Sequence, residues 1–102
     1  MNSRIYQMLS LCQKAGKLVT GEFATKEAVL SKTAHLVIVA TDASNNTKKL
    51  FNDKTSYRSI PCVTWGTKEA IGDRVGKNPR AVIAIVDENF AKKIEELIGL
   101  SK

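Results

Sequence analysis

Metal ligands and disulfide-forming residues are scarce in this sequence. Its 102 residues include one histidine, His35, and two cysteines, Cys12 and Cys62, which lie far apart. A structural zinc site needs about four clustered His, Cys or acidic ligands, and the sequence contains no such cluster. Each cysteine lies in an apolar pattern, which favours two buried thiols in a reducing compartment over a disulfide. We therefore expect neither a metal site nor a disulfide.

Motifs that hold nucleotides and catalytic groups are missing too. The six glycines form neither the phosphate-loop pattern nor the dinucleotide-binding pattern, which disfavours a nucleotide-dependent enzyme. A Ser-His-Asp site would depend on His35, which opens an apolar run and fits a strand boundary better. The neighbouring acids Glu95 and Glu96 point about 100° apart on a helix and fit a solvated surface. No catalytic residues and no cofactor are predicted.

Long apolar stretches are also absent. No run approaches the roughly 20 apolar residues of a membrane span, and the first residues lack the basic flank and long apolar region of a signal peptide. Apolar residues nonetheless make up 43% of the chain and charged residues 25%, which is ordinary for a folded soluble domain. We expect a cytoplasmic monomer that is one domain over residues 1–102 and does not contact membranes.

Positive charge is what the chain has in excess. The 16 Lys and Arg residues against 10 Asp and Glu residues give a net charge of +6. The excess lies in residues 1–80, which carry 13 basic and 6 acidic groups, whereas residues 81–102 carry 3 basic and 4 acidic groups. Concentrated positive charge is typical of proteins that bind polyanions, although a merely basic surface gives the same count. Both interpretations are open at this point.

Helical and strand patterns alternate along the chain. The apolar runs at 36–40 and 81–86 are typical of strands buried on both faces, and shorter strands are predicted at 17–20 and 60–65. Helices are predicted at 3–15, 21–30, 44–57, 66–75 and 87–98. This alternation predicts a three-layer α/β/α sandwich with a four-stranded mixed sheet and about five helices. Periodicity does not give the order of the strands in the sheet.

Strand-to-helix turns are the first places to consider for anion binding, because helix N-termini carry free N–H groups and the positive end of the helix dipole. They occur at 20–22, 41–46, 65–67 and 86–89. Ser44 or Asn45 is predicted to cap the third helix. The aspartates Asp42 and Asp87 are further candidate caps, so helix caps and phosphate sites compete at these turns.

Two aromatic residues near these turns admit a structural and a functional interpretation. Trp65 closes a strand and is more typical of a core residue than of a platform for a base. The second helix is predicted to turn inward its apolar residues Phe23, Ala24, Ala28 and Leu30. The ring of Phe23 could instead stack on an unpaired base. The core placement is favoured for both rings.

The order of three segments resembles a known family. The sequence contains LCQKAGKLVTGE, then DASNNTKK and finally GDRVGKNPRAVIAI. This order is similar to that of the bacterial YlxQ-type proteins, a branch of the superfamily of small archaeal and eukaryotic ribosomal proteins that bind kink-turn RNA. The resemblance covers nearly the whole chain and is most specific at 42–49 and 76–80.

The resemblance implies an α/β/α sandwich that binds structured RNA, with ribosomal RNA as one candidate. The family binds RNA with the start of the second helix and the loop before the last strand, which correspond here to 20–26 and 77–80. We add the polar and basic residues that begin the third helix, where a solvated helix face is the competing interpretation for the two lysines. The candidate RNA-binding residues are then Thr20, Gly21, Glu22, Phe23, Thr25, Lys26, Asn45, Lys48, Lys49, Lys77, Asn78 and Arg80.

The base-reading residues of the kink-turn binders are not found in this sequence. Those proteins begin the helix with Gly-Thr-Asn-Glu, whose Asn and Glu read sheared G·A pairs. Here Gly21 matches, but the next three residues are Glu22, Phe23 and Ala24. Because phosphate contacts position a protein and base-edge contacts give specificity, we expect RNA binding with altered base reading. A protein-interaction adaptor of the translation or RNA-processing machinery is the alternative, and an enzyme comes third.

Overall fold

Four short strands form one mixed sheet. The computed structural model describes residues 2–100, with side chains from residue 4 onward, and places the strands at β1 Leu18–Thr20, β2 Leu36–Val39, β3 Cys62–Thr64 and β4 Val82–Ile85. They lie in the order β1-β4-β2-β3, with β2 and β3 parallel and the other neighbouring pairs antiparallel. All residues of β2 and β4 are buried. The prediction that the two apolar runs form strands buried on both faces is confirmed.

Five helices cover the two faces of this sheet. They are α1 Asn2–Lys14, α2 Glu22–Leu30, α3 Asn45–Tyr57, α4 Lys68–Arg74 and α5 Glu88–Leu100. Helices α2 and α3 pack side by side on one face, while α1 packs against α4 and α5 on the other. The predicted three-layer α/β/α sandwich is confirmed. Among the described residues, no helix is both long and apolar enough to cross a membrane.

Helix α5 is longer than predicted. It runs through Gly99 to Leu100, whereas the sequence pattern placed its end before that glycine. Gly99 does not adopt the left-handed conformation with which glycine usually ends a helix. The helix therefore continues through Gly99 to Leu100, the last residue that the structure describes.

The inner side of α2 also differs from the prediction. Thr25, Ala28 and Val29 are buried, whereas Phe23 is 80% exposed and Leu30 is 40% exposed. Successive helical residues point about 100° apart, so Phe23 lies roughly 200° around the helix axis from Thr25. The spacing of Thr25, Ala28 and Val29 thus decides which side faces the sheet. The core placement of Phe23 is wrong.

Both cysteines are free thiols. Cys12 is fully buried, and its Sγ–H donates to the Lys17 carbonyl oxygen at 3.2 Å. Burial raises the pKa of Cys12 to about 12, with a smaller contribution from the charge of Asp87. Burial also raises the pKa of the partly buried Cys62. Both thiols therefore stay protonated at neutral pH and are poor nucleophiles.

Trp65 belongs to the core, as predicted. It is 9% exposed, and its ring centroid lies 4.7 Å from that of Tyr6 on α1. The guanidinium carbon of Arg74 lies 5.5 Å from the Tyr6 ring centroid. These contacts join the end of β3 to α1 and α4, and they leave little of the Trp65 ring accessible to a base.

Candidate nucleic-acid interface

The strand directions bring several turns to one edge of the sheet. Because β4 is antiparallel to β1 and β2, and β3 is parallel to β2, the ends of β1, β2 and β3 lie at the edge where β4 starts. Helices α2, α3 and α4 begin soon after those strand ends, and segment 75–81 leads from α4 back to β4. We call this side, formed by residues 20–26, 41–49, 66–68 and 76–81, the helix-start edge. It brings together the segments that the resemblance assigns to RNA binding.

Hydrogen bonds hold Arg80 and the start of α2 at the helix-start edge. The backbone N–H of Arg80 donates to the Lys68 carbonyl oxygen at 3.0 Å, and its Nε donates to Thr20 Oγ1 at 3.3 Å. The N–H of Gly21 donates to the Val82 carbonyl oxygen at 2.9 Å. These bonds fix the two segments implied in RNA binding relative to each other.

Segment 75–81 packs directly on the backbone of α4 at Gly72. A Cβ at this position would lie 2.7 Å from the Asn78 carbonyl carbon and 2.8 Å from Pro79 Cα. The Lys77 N–H donates to the Gly72 carbonyl oxygen at 2.8 Å. Close approach therefore requires glycine here. Gly72 was not predicted to matter from the sequence, although a glycine inside the helical pattern KEAIGDR is a signal of close packing.

Gly21 precedes α2 in a backbone conformation that other residues avoid. Its φ of 90° and ψ of 163° lie in a region essentially restricted to glycine. Apart from its two chain neighbours, no described residue has an atom within 4 Å of the position that a Cβ would take, so the backbone conformation imposes the requirement for glycine. Because Gly21 offers no side-chain cap, the first N–H groups of α2 have neither a cap nor an intrahelical acceptor.

A carboxylate lies between the starts of α2 and α3. Ser44 caps α3 by accepting from the Thr47 N–H at 3.1 Å, and its hydroxyl donates to Thr47 Oγ1 at 3.0 Å. Thr47 Oγ1 in turn donates to Glu22 Oε2 at 3.3 Å. The carboxylate of Glu22 occupies the space in front of the two helix starts and repels a phosphate placed directly on them. Of the two predicted caps, Ser44 is confirmed and Asn45 is not used.

The two aspartates at the turns also cap helices. Asp42 Oδ1 accepts from the Lys68 N–H at 2.9 Å and so supports the start of α4, whose N-cap is Thr67, rather than that of α3. Asp87 Oδ2 accepts from the Phe90 N–H at 2.9 Å and caps α5 as predicted. Both turns therefore already hold a carboxylate at a helix start, which disfavours an anion there.

Basic side chains surround these helix starts. Within the described residues, no carboxylate lies in ion-pair distance of Lys26, Lys48, Lys77 or Arg80. Lys49 differs, because its Nζ lies 3.1 Å from Asp53 Oδ2 on the same helix. That pair is exposed and contributes little to stability, so Lys49 can exchange partners at small cost.

Thr25 is the one candidate RNA-binding residue that does not lie on this surface. Its side chain is fully buried on the inner side of α2 and cannot reach RNA. Its Oγ1 is buried without a hydrogen-bond partner in the described part of the chain. The other implied residues are at least partly exposed at the helix-start edge, namely Thr20, Gly21, Glu22, Phe23, Lys26, Asn45, Lys48, Lys49, Lys77, Asn78 and Arg80.

A hollow of about 390 Å³ lies away from this surface, between α1 and the start of α5. Its lining residues are Met8, Asp87, Asn89 and Phe90. Asp87 is the ionisable group among them, and its carboxylate is engaged as the cap of α5. Among the described residues, the lining therefore does not pair a nucleophile with a base, as a hydrolytic or transfer site would require.

A family model and named relatives match nearly the whole chain. The model of the ribosomal protein L7Ae/L30e/S12e/Gadd45 family matches residues 3–95. The RNA-binding protein YlxQ of Enterococcus faecium is 46% identical over 91 residues, which cover 89% of this chain and 87% of that protein. The RNA-binding protein YlxQ of Bacillus subtilis (strain 168) is 33% identical over 93 residues, which cover 91% of this chain and 93% of that protein.

Solved structures share the fold. A protein with unknown function from Bacillus halodurans C superposes with a TM-score of 0.90 at 35% identity, covering 93% of this chain and 96% of that one. The Giardia lamblia 15.5kD RNA binding protein superposes with a TM-score of 0.79 at 20% identity, covering 96% of this chain and 84% of that one. Because the Giardia lamblia protein is only 20% identical to this chain, its similarity shows a shared fold and nothing further.

Proposed function

The chain belongs to the ribosomal protein L7Ae/L30e/S12e/Gadd45 family, and we propose that it binds structured RNA through the helix-start edge. The proposal rests above all on one observation: Lys26, Lys48, Lys77 and Arg80 lie at the edge where three helices begin, with no described carboxylate in ion-pair distance. Relatives that are 46% and 33% identical are named RNA-binding proteins, which supports the same conclusion.

The charges divide the edge into two parts. Glu22 repels phosphates from the adjoining starts of α2 and α3, where Thr47 holds its carboxylate. The phosphates therefore lie beside the helix starts, against the side chains of Lys26 and Lys48 and against the segment that carries Lys77 and Arg80. Such contacts set the position and orientation of an RNA but do not read its bases. We propose binding of modest affinity with altered base reading.

A protein-interaction adaptor is the second candidate. The observation that favours it is the exposure of large apolar side chains outside the helix-start edge, with Leu11 54% and Tyr57 84% exposed. Single exposed apolar side chains are nevertheless common on monomeric proteins. The grouped cations at the helix-start edge favour RNA.

Salt dependence separates these two candidates. Contact with about three phosphates predicts that log affinity falls against log salt concentration with a slope near −2 to −3. Apolar contacts of an adaptor respond little to salt. Fluorescence anisotropy with a labelled structured RNA, titrated from low to physiological salt, measures this slope. A flat response would contradict the proposal.

Paired lysine variants locate the charge contacts within the same titration. Replacing Lys48 and Lys49 by alanine should reduce the size of the slope by about one to two and weaken binding similarly for all RNA sequences. The thermal midpoint should hardly change, because exposed surface substitutions alter stability by less than about 0.5 kcal/mol. Lys14 and Lys32, both exposed at the opposite edge, form the matched control pair and should have a much smaller effect. Equal effects of the two pairs would place Lys48 and Lys49 outside the RNA contact.

A further inference from the structure

Phe23 projects an apolar ring into solvent at the helix-start edge. It is 80% exposed, on a helix whose inner side is formed by Thr25, Ala28 and Val29. Burial of a phenylalanine ring is one of the larger favourable contributions to folding, and this ring does not make it. Single exposed apolar side chains are common, so the position of this ring at the helix-start edge, and not its exposure alone, points to a binding role.

The charges around Phe23 favour a neutral ring as its partner. Lys26 lies three residues further along α2 and thus on the same face of the helix. The Glu22 carboxylate lies at the helix start, held by Thr47 at 3.3 Å. A phosphate beside Phe23 is attracted from one side and repelled from the other. A nucleobase is uncharged and can lie on the ring while its own phosphate reaches Lys26.

From this arrangement we infer that Phe23 is a stacking platform for an unpaired base of the bound RNA. The inference rests on the proposed RNA-binding function and adds the class of RNA. Bases inside a helix already stack on their neighbours, so only a bulged, looped or terminal nucleotide can offer a free face. Stacking on an aromatic ring tolerates every base, because each base has a π-face. The preferred ligand is a structured RNA with an unpaired nucleotide of any identity next to a paired stem.

Two RNA hairpins test this inference directly. One is fully paired in its stem, and the other carries a single unpaired 2-aminopurine nucleotide in the same stem. The unmodified protein should bind the bulged hairpin more tightly and should change the 2-aminopurine fluorescence on binding. Phe23→Ala should lose roughly tenfold or more in affinity for the bulged hairpin and little for the paired one. Phe23→Tyr should keep the preference, whereas Phe23→Leu, which is apolar without an aromatic face, should lose most of it.

Tyr57→Ala is the matched control. Tyr57 is as exposed as Phe23, at 84%, but it ends α3 at the opposite edge of the sheet. This control should leave binding of both hairpins unchanged. Because both aromatic rings are exposed, each variant should keep the thermal midpoint of the unmodified protein, which a circular dichroism melt checks.

The outcomes distinguish this inference from the proposal on which it rests. Salt-dependent binding of both hairpins without a preference for the bulge, or a preference that survives Phe23→Ala, overturns the stacking role and leaves RNA binding in place. Failure of the unmodified protein to bind either hairpin overturns both. Loss of the preference in Phe23→Ala and Phe23→Leu, with retention in Phe23→Tyr and Tyr57→Ala, supports the inference.

Discussion

Gly72→Ala should destabilise the fold and weaken RNA binding together. The added Cβ would press on the backbone at Asn78 and Pro79, at 2.7 and 2.8 Å. Because backbone atoms cannot swing aside as a flexible side chain can, segment 75–81 must move away from α4. Overpacking of this kind typically costs about 1–3 kcal/mol. In a chain of this size each kcal/mol lowers the thermal midpoint by roughly 4–8 °C.

The binding defect follows from the same displacement. Lys77 donates its N–H to the Gly72 carbonyl oxygen, and the N–H of Arg80 is bonded to Lys68 on α4. Moving the segment therefore shifts two of the proposed phosphate contacts. The loss should exceed that of Lys77→Ala alone when both variants are measured below their thermal midpoints.

Gly99→Ala is the control for Gly72→Ala. Gly99 also lies in a helix, but apart from its chain neighbours and its own helix backbone, no atom of the described residues lies within 4 Å of the position that a Cβ would take. Alanine is favoured over glycine in helices by up to about 1 kcal/mol, so this variant should be neutral or slightly more stable and should bind RNA normally. An unchanged midpoint for Gly72→Ala would contradict the close packing of segment 75–81 on α4.

Removing the G·A pairs from a kink-turn RNA should change its affinity for this protein by less than about tenfold. The kink-turn binders that the sequence resembles read those pairs with an Asn and a Glu, and Phe23 and Ala24 occupy these positions here. By analogy with DNA readout, each good base-edge contact provides roughly 1–3 kcal/mol of discrimination. Without these two contacts, the ratio of affinities for the RNA with and without its G·A pairs should be smaller by a factor of tens or more.

The exposure of Phe23 makes the reverse experiment practicable. Since the ring is 80% exposed, Phe23→Asn with Ala24→Glu removes little packing, and the variant should remain folded. It should gain preference for the intact kink-turn over the RNA without G·A pairs, at one fixed salt concentration. A preference of about a hundredfold or more in the unmodified protein would show that other residues read the G·A pairs.

Elements with strong local signals were predicted well from the sequence. The continuous apolar runs of β2 and β4 identified the buried centre of the sheet. The Ser44 cap and the following pattern located α3 at Asn45–Tyr57. These signals are local, because they depend on burial of both strand faces and on one side chain satisfying a helix N–H.

Long-range features could not be predicted in the same way. The order β1-β4-β2-β3 depends on pairing between distant segments, and it decides which turns share the helix-start edge. The inner side of α2 was misassigned because a short helix with scattered apolar residues is ambiguous, and buried Thr25 rather than Phe23 faces the sheet. The contact of Gly72 with segment 75–81 likewise appears only when the chain is folded.

Protection of lysines from acetylation by bound RNA tests the location of the proposed interface most directly. The protein is treated with a lysine-acetylating reagent with and without a structured RNA, and the modified residues are quantified by mass spectrometry. We expect protection of Lys26, Lys48 and Lys77 at the helix-start edge, and no protection of the exposed Lys14, Lys17 and Lys32 at the opposite edge. Protection of the second set without the first would contradict it.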